Sequence, residues 1–298
     1  MRVFVTGATG FIGSAIVQEL TQAGHHVLGL ARNDAAASAL AKLGVTAHRG
    51  DLKSTDSLQA AARACDGVIH TAFIHDFSDI GAAGVTDNVA IQAIGDALAD
   101  SGKPFVVTSG IAHLAQGGVK TENDKADPNS VATHRIPSEN TTFALAARGV
   151  RATLLRLPPS VHGDGDHGFV PAIIDVARKQ GVSAYIGEGL NRWPAVHRLD
   201  AANLFRLALE HGVAGATYHG VADEGVPTKE IADVIGRRLN VPVISKSREE
   251  VAAHFGWIGH FFGVDCPASS TQTQQLLGWR PTHASLILDL DNVRYFGN

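Results

Sequence analysis

The sequence predicts an α/β fold built on a doubly wound parallel sheet, and three observations lead there. Strand-like apolar runs alternate with helical segments through the first half of the chain. A glycine-rich turn, Gly7-Ala8-Thr9-Gly10-Phe11-Ile12-Gly13, follows the first of those runs and opens a helix. The rhythm breaks after Leu157, where prolines and glycines accumulate. Strands separated by helical stretches imply parallel crossovers. Nearly continuous apolar strands are expected where helices cover both faces of a sheet.

The elements follow in order. Residues 1–5 read as a short buried strand, and residues 14–23 as a helix with Ile16, Val17 and Leu20 on its apolar face and Gly24 at its end. Residues 27–30 form the second strand. Asp34 is placed to cap a helix over 35–43, which Gly44 ends. A third strand covers 45–49, and Ser54 and Thr55 open a helix reaching residue 64. The fourth strand spans 67–72, a helix spans 88–99, and the fifth strand spans 104–109. A helix over 135–147 leads to a sixth strand at 151–157. Pro158, Pro159, Gly163, Gly165 and Gly168 then interrupt the pattern, and helices dominate the remainder. The expected division is a dinucleotide-binding domain over 1–157 and a smaller α+β domain, mainly substrate-binding and interleaved with the first, over 158–298. Asp200, ahead of Ala201-Ala202, reads as a helix cap.

Bulk properties narrow the function classes. A formal charge of −4 provides no basic field for nucleic acid and no polybasic patch for a membrane surface. No apolar run approaches the ~20 residues of a membrane span. Cys65 and Cys266 are too few for a disulfide framework and lack metal-ligand spacing, which implies a reducing, cytoplasmic setting. The glycine turn begins so early that no signal peptide is expected ahead of it. Neither a His-Glu-x-x-His motif nor a cysteine–histidine cluster is present, so no catalytic metal is expected.

The opening turn carries the most specific chemistry. Gly7 can adopt a tight turn that a side chain would obstruct. A Cβ at Gly10 would block close approach of a pyrophosphate, and one at Gly13 would hold the helix off the sheet. The first helical N–H groups, helped by the helix dipole, suit a phosphate. The expected ligand is a dinucleotide.

Several later segments complete a resemblance. Gly50-Asp51-Leu52, Ile69-His70-Thr71-Ala72, Val107-Thr108-Ser109, Arg156-Leu157-Pro158-Pro159-Ser160-Val161-His162-Gly163, Val196-His197-Arg198-Leu199-Asp200 and Leu277-Gly278-Trp279-Arg280-Pro281 occur in series. With the opening turn, the chain resembles the extended short-chain dehydrogenase/reductase superfamily, which contains the nucleotide-sugar epimerases and dehydratases. The resemblance implies a Rossmann-type domain with a smaller C-terminal substrate domain. It also implies that Asp51 and Leu52 lie by the adenine, and that Thr71, Ala72 and Phe73 line the cofactor path. Thr108 and Pro158 fall beside that path at the ends of their strands.

The end of the second strand bears on cofactor choice. Members using NAD usually place a carboxylate there, whereas a nearby arginine accommodates a 2′-phosphate. This chain has Ala31, then Arg32 and Asn33. Arg32 can form two charge-assisted bonds to a phosphate and stack on adenine, so NADP is expected.

One departure from the pattern is decisive. The superfamily's working pair is Tyr-x-x-x-Lys on the helix after the fifth strand. Here Arg135 falls at the tyrosine and Glu139 at the lysine, and none of Tyr185, Tyr218 or Tyr295 has a lysine four residues on. Gly110 falls where the catalytic serine is expected, with Ser109 beside it. The chain thus resembles the atypical branch, which keeps the cofactor fold and lacks the pair. His134, His113 and His162 are candidate proton carriers, because an unperturbed imidazole titrates near ~6.5. Arg135 could orient a carbonyl as a fixed cation or pair with Glu139 one helical turn away. Ser109 could bond a substrate oxygen.

His162 and Trp193 are the expected substrate contacts, in a region that also holds His167, Phe169, Tyr185, His197, Trp257, Phe261 and Phe262. Aromatics interspersed with imidazoles suit an apolar pocket with a few polar anchors, and they equally suit the core of a second domain. The leading expectation is an NADP-dependent oxidoreductase reducing a small carbonyl or unsaturated compound. A nucleotide-sugar epimerase or dehydratase and a non-catalytic redox sensor remain the alternatives. By resemblance, the helices over 88–99 and 135–147 would pair two chains into a homodimer.

Overall fold

Seven parallel strands make the central sheet of the computed structural model, which describes residues 1–76 and 78–297. They are β1 Arg2–Thr6, β2 His26–Ala31, β3 Thr46–Arg49, β4 Gly67–His70, β5 Pro104–Gly110, β6 Arg151–Leu157 and β10 Thr217–His219. Their order is β10-β6-β5-β4-β1-β2-β3, and every pairing is parallel. The order reverses between β1 and β4, and a crevice beyond the carboxyl ends of the strands at such a point is where doubly wound sheets bind ligands.

Helices cover both faces, because the central strands carry apolar side chains on both sides. Val3, Val5 and Val106 face one core, with helix α1 Phe11–Gln22 packed on it. Phe4, Val68, Phe105 and Val107 face another, which takes up residues of α3 Thr55–Arg63, α4 Ile80–Leu98 and α5 Ile136–Ala146. Helix α2 Asp34–Lys42 crosses between β2 and β3.

Two local expectations are corrected in this half. The cap of α2 is Asn33, whose Oδ1 accepts from Ala36 N at 2.9 Å, whereas Asp34 lies in the first turn and pairs with Arg49. Helix α4 begins eight residues earlier than the pattern suggests, at Ile80, where Asp79 caps it by accepting from Ala82 N at 3.1 Å. Gly81 and Gly84 hid that start, since glycine disfavours helices. Gly84 is needed nonetheless: a Cβ there would lie 2.5 Å from the carbonyl oxygen of His134. The segment before α5 therefore packs directly on the backbone of α4. Gly95 does the same farther along, where a Cβ would lie 2.2 Å from Leu145.

After Leu157 the chain divides. A second core, containing Trp193, Phe255, Ile258 and Phe262, forms beneath a three-stranded sheet and a two-stranded one. The first contains β7 Ser160–His162, β9 Arg192–His197 and β11 Asp223–Pro227; the second pairs β8 Ser183–Ile186 with β12 Val243–Lys246. Helices α6 Phe169–Gln180 and α8 Thr228–Leu239 pack here. By contrast, α7 Arg198–His211 returns to α1 and the main sheet, as does β10. The two parts are interleaved. Asp200 is not the cap of α7. His197 takes that role, with Nδ1 accepting from Leu199 N at 3.3 Å, and the buried Asp200 carboxylate holds Thr282 N, His283 N and the His283 ring.

Candidate cofactor and active site

The β1–α1 turn fits a dinucleotide on steric grounds. Gly7 has φ of +71°, and a Cβ there would meet Thr71 Oγ1 at 2.7 Å and Ala72 N at 2.8 Å. A Cβ on Gly13 would lie 1.9 Å from the Gly7 carbonyl oxygen, so α1 approaches the turn only because residue 13 is glycine. Gly10 caps α1 with no side-chain bond, and no acidic residue stands in the first turn. The first N–H groups of the helix are thus left for an outside acceptor. Thr9 and Gly10 are exposed, Phe11 and Ile12 half-buried, and Ala8 buried. The turn is stitched to the end of β4: Thr6 Oγ1 accepts from Thr71 N and Ala72 N, and Thr71 Oγ1 donates to Thr6 O at 2.8 Å. Thr108 Oγ1 ties β5 to β4 by donating to His70 O, and buried Pro158 directly follows β6.

Arg32 is exposed one residue beyond β2 and forms no ion pair among the described residues. Asp51 is exposed after β3, and its Oδ1 accepts from Lys53 N and Ser54 Oγ, which shapes the loop. Leu52 beside it is buried with Leu28 and Leu30.

Arg135, which the resemblance sets at the superfamily's tyrosine, is an anchored cation. Arg135 ends a single 3-10 turn, Thr133–Arg135, just ahead of α5. Its guanidinium lies 3.6 Å over the Phe73 ring, and Nη1 is 3.3 Å from Asp87 Oδ2. Asp87, from α4, is 1% exposed and also accepts from Ser138 Oγ at 2.6 Å. Its other oxygen lies 3.1 Å from His70 Nε2, and His70 Nδ1 lies 2.9 Å from Thr6 Oγ1. A polar chain therefore runs from the end of β1 to Arg135. Burial works to raise the Asp87 pKa, but His70, Arg135 and Ser138 outweigh it and hold the carboxyl below its ordinary range.

The expected pairing of Arg135 with Glu139 does not form. Glu139 instead takes a two-pronged contact from Arg156, with Nε to Oε1 at 2.9 Å and Nη2 to Oε2 at 2.8 Å. Both side chains are at most 3% exposed. Burial would raise the Glu139 pKa, but bonds from Arg156 and His113 bring it down to about 2.

The histidines also differ from expectation. Burial and the adjacent Arg135 charge lower His134 to about 4, so its imidazole is neutral at pH 7 rather than poised near neutrality. His75, whose ring is 5.3 Å from Phe73, is lowered by burial, then by Arg135 and His167. The His167 ring meets Phe11 of the cofactor turn at 5.7 Å. Ser109 is buried on the neighbouring strand, and its hydroxyl has no partner among the described residues.

The two expected substrate contacts are interior residues. His162 is 0% exposed, with Nδ1 2.9 Å from Asp289 Oδ2, and burial lowers it to about 4. Trp193 is also 0% exposed, donates to Phe261 O, and belongs to the second core. In this structure both lie away from any open surface, because β7 and β9 carry them inward. Among the other aromatics, Trp257 is exposed and packs on Phe169 and Phe261, whereas Phe262 is fully buried.

The sequence model of the NAD dependent epimerase/dehydratase family matches residues 3–221. The chain belongs to this family. Among its relatives is an uncharacterized protein of Schizosaccharomyces pombe, 52% identical over 99% of this chain and 100% of its own length. The 2-alkyl-3-oxoalkanoate reductase of Stenotrophomonas maltophilia is 28% identical over 83% of this chain and 78% of its own. A solved dTDP-glucose 4,6-dehydratase of Streptomyces venezuelae, with NAD bound, superposes with a TM-score of 0.80. That match is 22% identical and covers 99% of this chain and 97% of the other, a likeness of fold. The family match places the chain among the NAD dependent epimerase/dehydratase-type proteins.

Asp87 and Arg156 are the site residues that sequence reasoning missed. Arg156 stood inside a quoted motif, and an arginine in an otherwise apolar strand signals a buried partner. Asp87 was hidden by the misplaced start of α4.

Two expectations follow. Reinstating the family pair with Arg135→Tyr and Glu139→Lys would set an ammonium against buried Arg156 and strip Asp87 of its cation. Breaking buried pairs in this way costs about 3–5 kcal/mol, so urea unfolding should show a large loss of stability, and a wild-type midpoint would contradict the pairing. Acid should also destabilise the fold early. His134, His162, His197 and His219 are each lowered to about 4 from 6.5. Between those values the unfolded chain holds more protons, so stability present above about pH 6.5 declines as pH falls toward 4. Glu139, lowered from 4.5 to about 2, adds a further loss below pH 4.5. Urea midpoints that stay constant from about pH 7 to pH 4.5 would refute this.

Proposed function

We propose that this chain is an NADP-dependent reductase of small carbonyl or unsaturated compounds. The observation that carries the reading is Arg135, held by Asp87 and stacked on Phe73, at the place where the sequence resemblance sets the superfamily's phenol. A fixed guanidinium can orient and polarise an oxygen, but it is a poor proton donor. Bound NADPH would supply the hydride, and the chain's own residues supply the setting. The uncapped α1 terminus and the Gly7–Gly13 turn would hold the pyrophosphate. Arg32 would meet the 2′-phosphate, with Asp51 and Leu52 by the adenine. Thr71, Ala72, Phe73, Thr108 and Pro158 would border the path to the nicotinamide. Arg135 would face the acceptor oxygen and Ser109 would support it, while the second core would form the substrate domain. The reductase among the relatives supports keto reduction. Epimerisation or dehydration would need the absent tyrosine–lysine pair.

The assembly is proposed as a homodimer through α4 and α5, where Val85, Val89 and Phe143 are exposed. Buried, unpaired Cys65 and Cys266 suit a cytoplasmic setting.

Fluorescence titration should show NADPH binding more tightly than NADH. Arg32→Ala should weaken NADPH by about 1.5–3 kcal/mol, the range for bonds to a charged group, and barely change NADH; equal losses would count against the 2′-phosphate contact. With a panel of carbonyls and nucleotide sugars, NADPH oxidation is expected on activated carbonyls and should fall sharply in Arg135→Met. Robust epimerisation of a nucleotide sugar by wild type would overturn the reading. Light scattering should return twice the 31.2 kDa chain mass; a monomer mass at micromolar concentration would exclude the dimer.

A further inference from the structure

A second polar cluster lies one helical turn beyond Arg135. Arg156 grips both oxygens of Glu139, and its Nη1 donates to Asp124 O at 2.8 Å. His113, 0% exposed, places Nε2 2.8 Å from Glu139 Oε1. His113 Nδ1 has no partner among the described residues. Strand register sets Ser109 beside Arg156 on β5–β6, and Arg156 beside His219 on β6–β10. Glu122 joins through Thr273, whose hydroxyl donates to Glu122 Oε1 at 2.6 Å and accepts from His219 N at 2.8 Å. Ser109 Oγ, His219 Nε2 and Glu122 Oε2 are also buried without partners among the described residues.

Most buried polar atoms are hydrogen-bonded, so a group of unpaired ones marks a place that accepts a polar molecule. Of the groups gathered here, only imidazoles exchange protons readily near neutral pH. His219 has burial and Arg156 working against protonation, and its Nδ1 is engaged with Ser269 O. His134 has burial and Arg135 against it. The charged atom touching His113 is instead a carboxylate oxygen, from a residue that stays ionised. A carboxylate behind an imidazole orients the ring and stabilises its cation.

We propose that His113 relays the proton that the absent tyrosine would have supplied, positioned by Glu139 and, through it, Arg156. The proposal rests on the reductase reading above. As the carbonyl carbon accepts hydride and its electron pair, the oxygen takes the proton from Nδ1–H. The N–H bond breaks, an O–H bond forms, and His113 is left neutral with its remaining proton on Nε2 toward Glu139. Water returns the proton to Nδ1. The titratable and charged groups that the ring interacts with are Glu139 and His134, with Arg156 on the far side of the Glu139 carboxylate.

Two measurements test this. In steady-state reduction of an activated carbonyl, His113→Gln should lower kcat about 100-fold or more, the range for a positioned acid. KM and NADPH affinity should stay near wild type, and the kcat–pH profile should lose an inflection. His134→Gln should change kcat only a few-fold. Nitrogen-15 NMR of labelled histidines in NADPH-loaded wild type needs neither turnover nor a variant that folds. It should show a proton on His113 Nδ1 that exchanges with solvent while Nε2 keeps its own toward Glu139. A His113→Gln enzyme with kcat within about threefold of wild type, or a His113 Nδ1 that never carries an exchangeable proton, would overturn the relay. If wild type reduces nothing in the panel, the reductase reading fails on its own, and the NMR titration still decides whether His113 carries an exchangeable proton.

Discussion

Asp87 is the residue on which the arrangement of the site depends. An ionised carboxylate that is 1% exposed is tolerable only when its oxygens are occupied. Here His70 takes one oxygen, and Ser138 and Arg135 share the other. Those partners come from β4, the start of α5 and the turn before it, so one carboxylate ties the cofactor strand to the segment that carries the site. The approach is possible because Gly84 lets the His134 backbone rest on α4. Thr6 extends the chain by binding His70 while also accepting from Thr71 N and Ala72 N. The β1–α1 turn and the segment before α5 are thus mechanically connected.

The same electrostatic logic explains the second half of the departure. A lysine beside Arg156 in a dry interior would be an unpaired like charge, whereas a glutamate satisfies the arginine in two-pronged fashion. With Glu139 turned inward to Arg156 and His113, it is lost to the cleft. Arg135 and Glu139 are four residues apart and opposite in charge, yet each finds its partner elsewhere, because buried alternatives in low dielectric outweigh a solvated pair along one helix. Arg135 and Glu139 are therefore parts of two networks rather than partners of one another.

Much of the fold was legible from local signals. Strand β6 has the bounds that its apolar run suggests, and the glycine turn behaves as its spacing implies: Gly7 at positive φ and Gly13 against the Gly7 carbonyl. Boundaries failed where a competing local signal spoke louder. Glycines packed for close approach masked the first turns of α4, and Asn33 rather than its acidic neighbour capped α2. Asp200 looked like a cap and proved to be an anchor for residues 282–283, a contact that no local pattern can announce. His162 and Trp193 failed for a related reason: residue type alone does not distinguish an aromatic lining a pocket from one filling a core.

By itself the sequence determined the fold class and the conformation of the glycine turn after β1. Each of these is written in residues close together along the chain, where backbone periodicity and the steric freedom of glycine act directly. The tertiary structure alone decided which charges meet. Arg135 reaches Asp87 across 48 positions and Arg156 reaches Glu139 across 17, through crossovers that set helices against strand ends. A buried charge takes whichever opposite partner the packing brings within reach, because leaving it unpaired away from water is the costlier outcome.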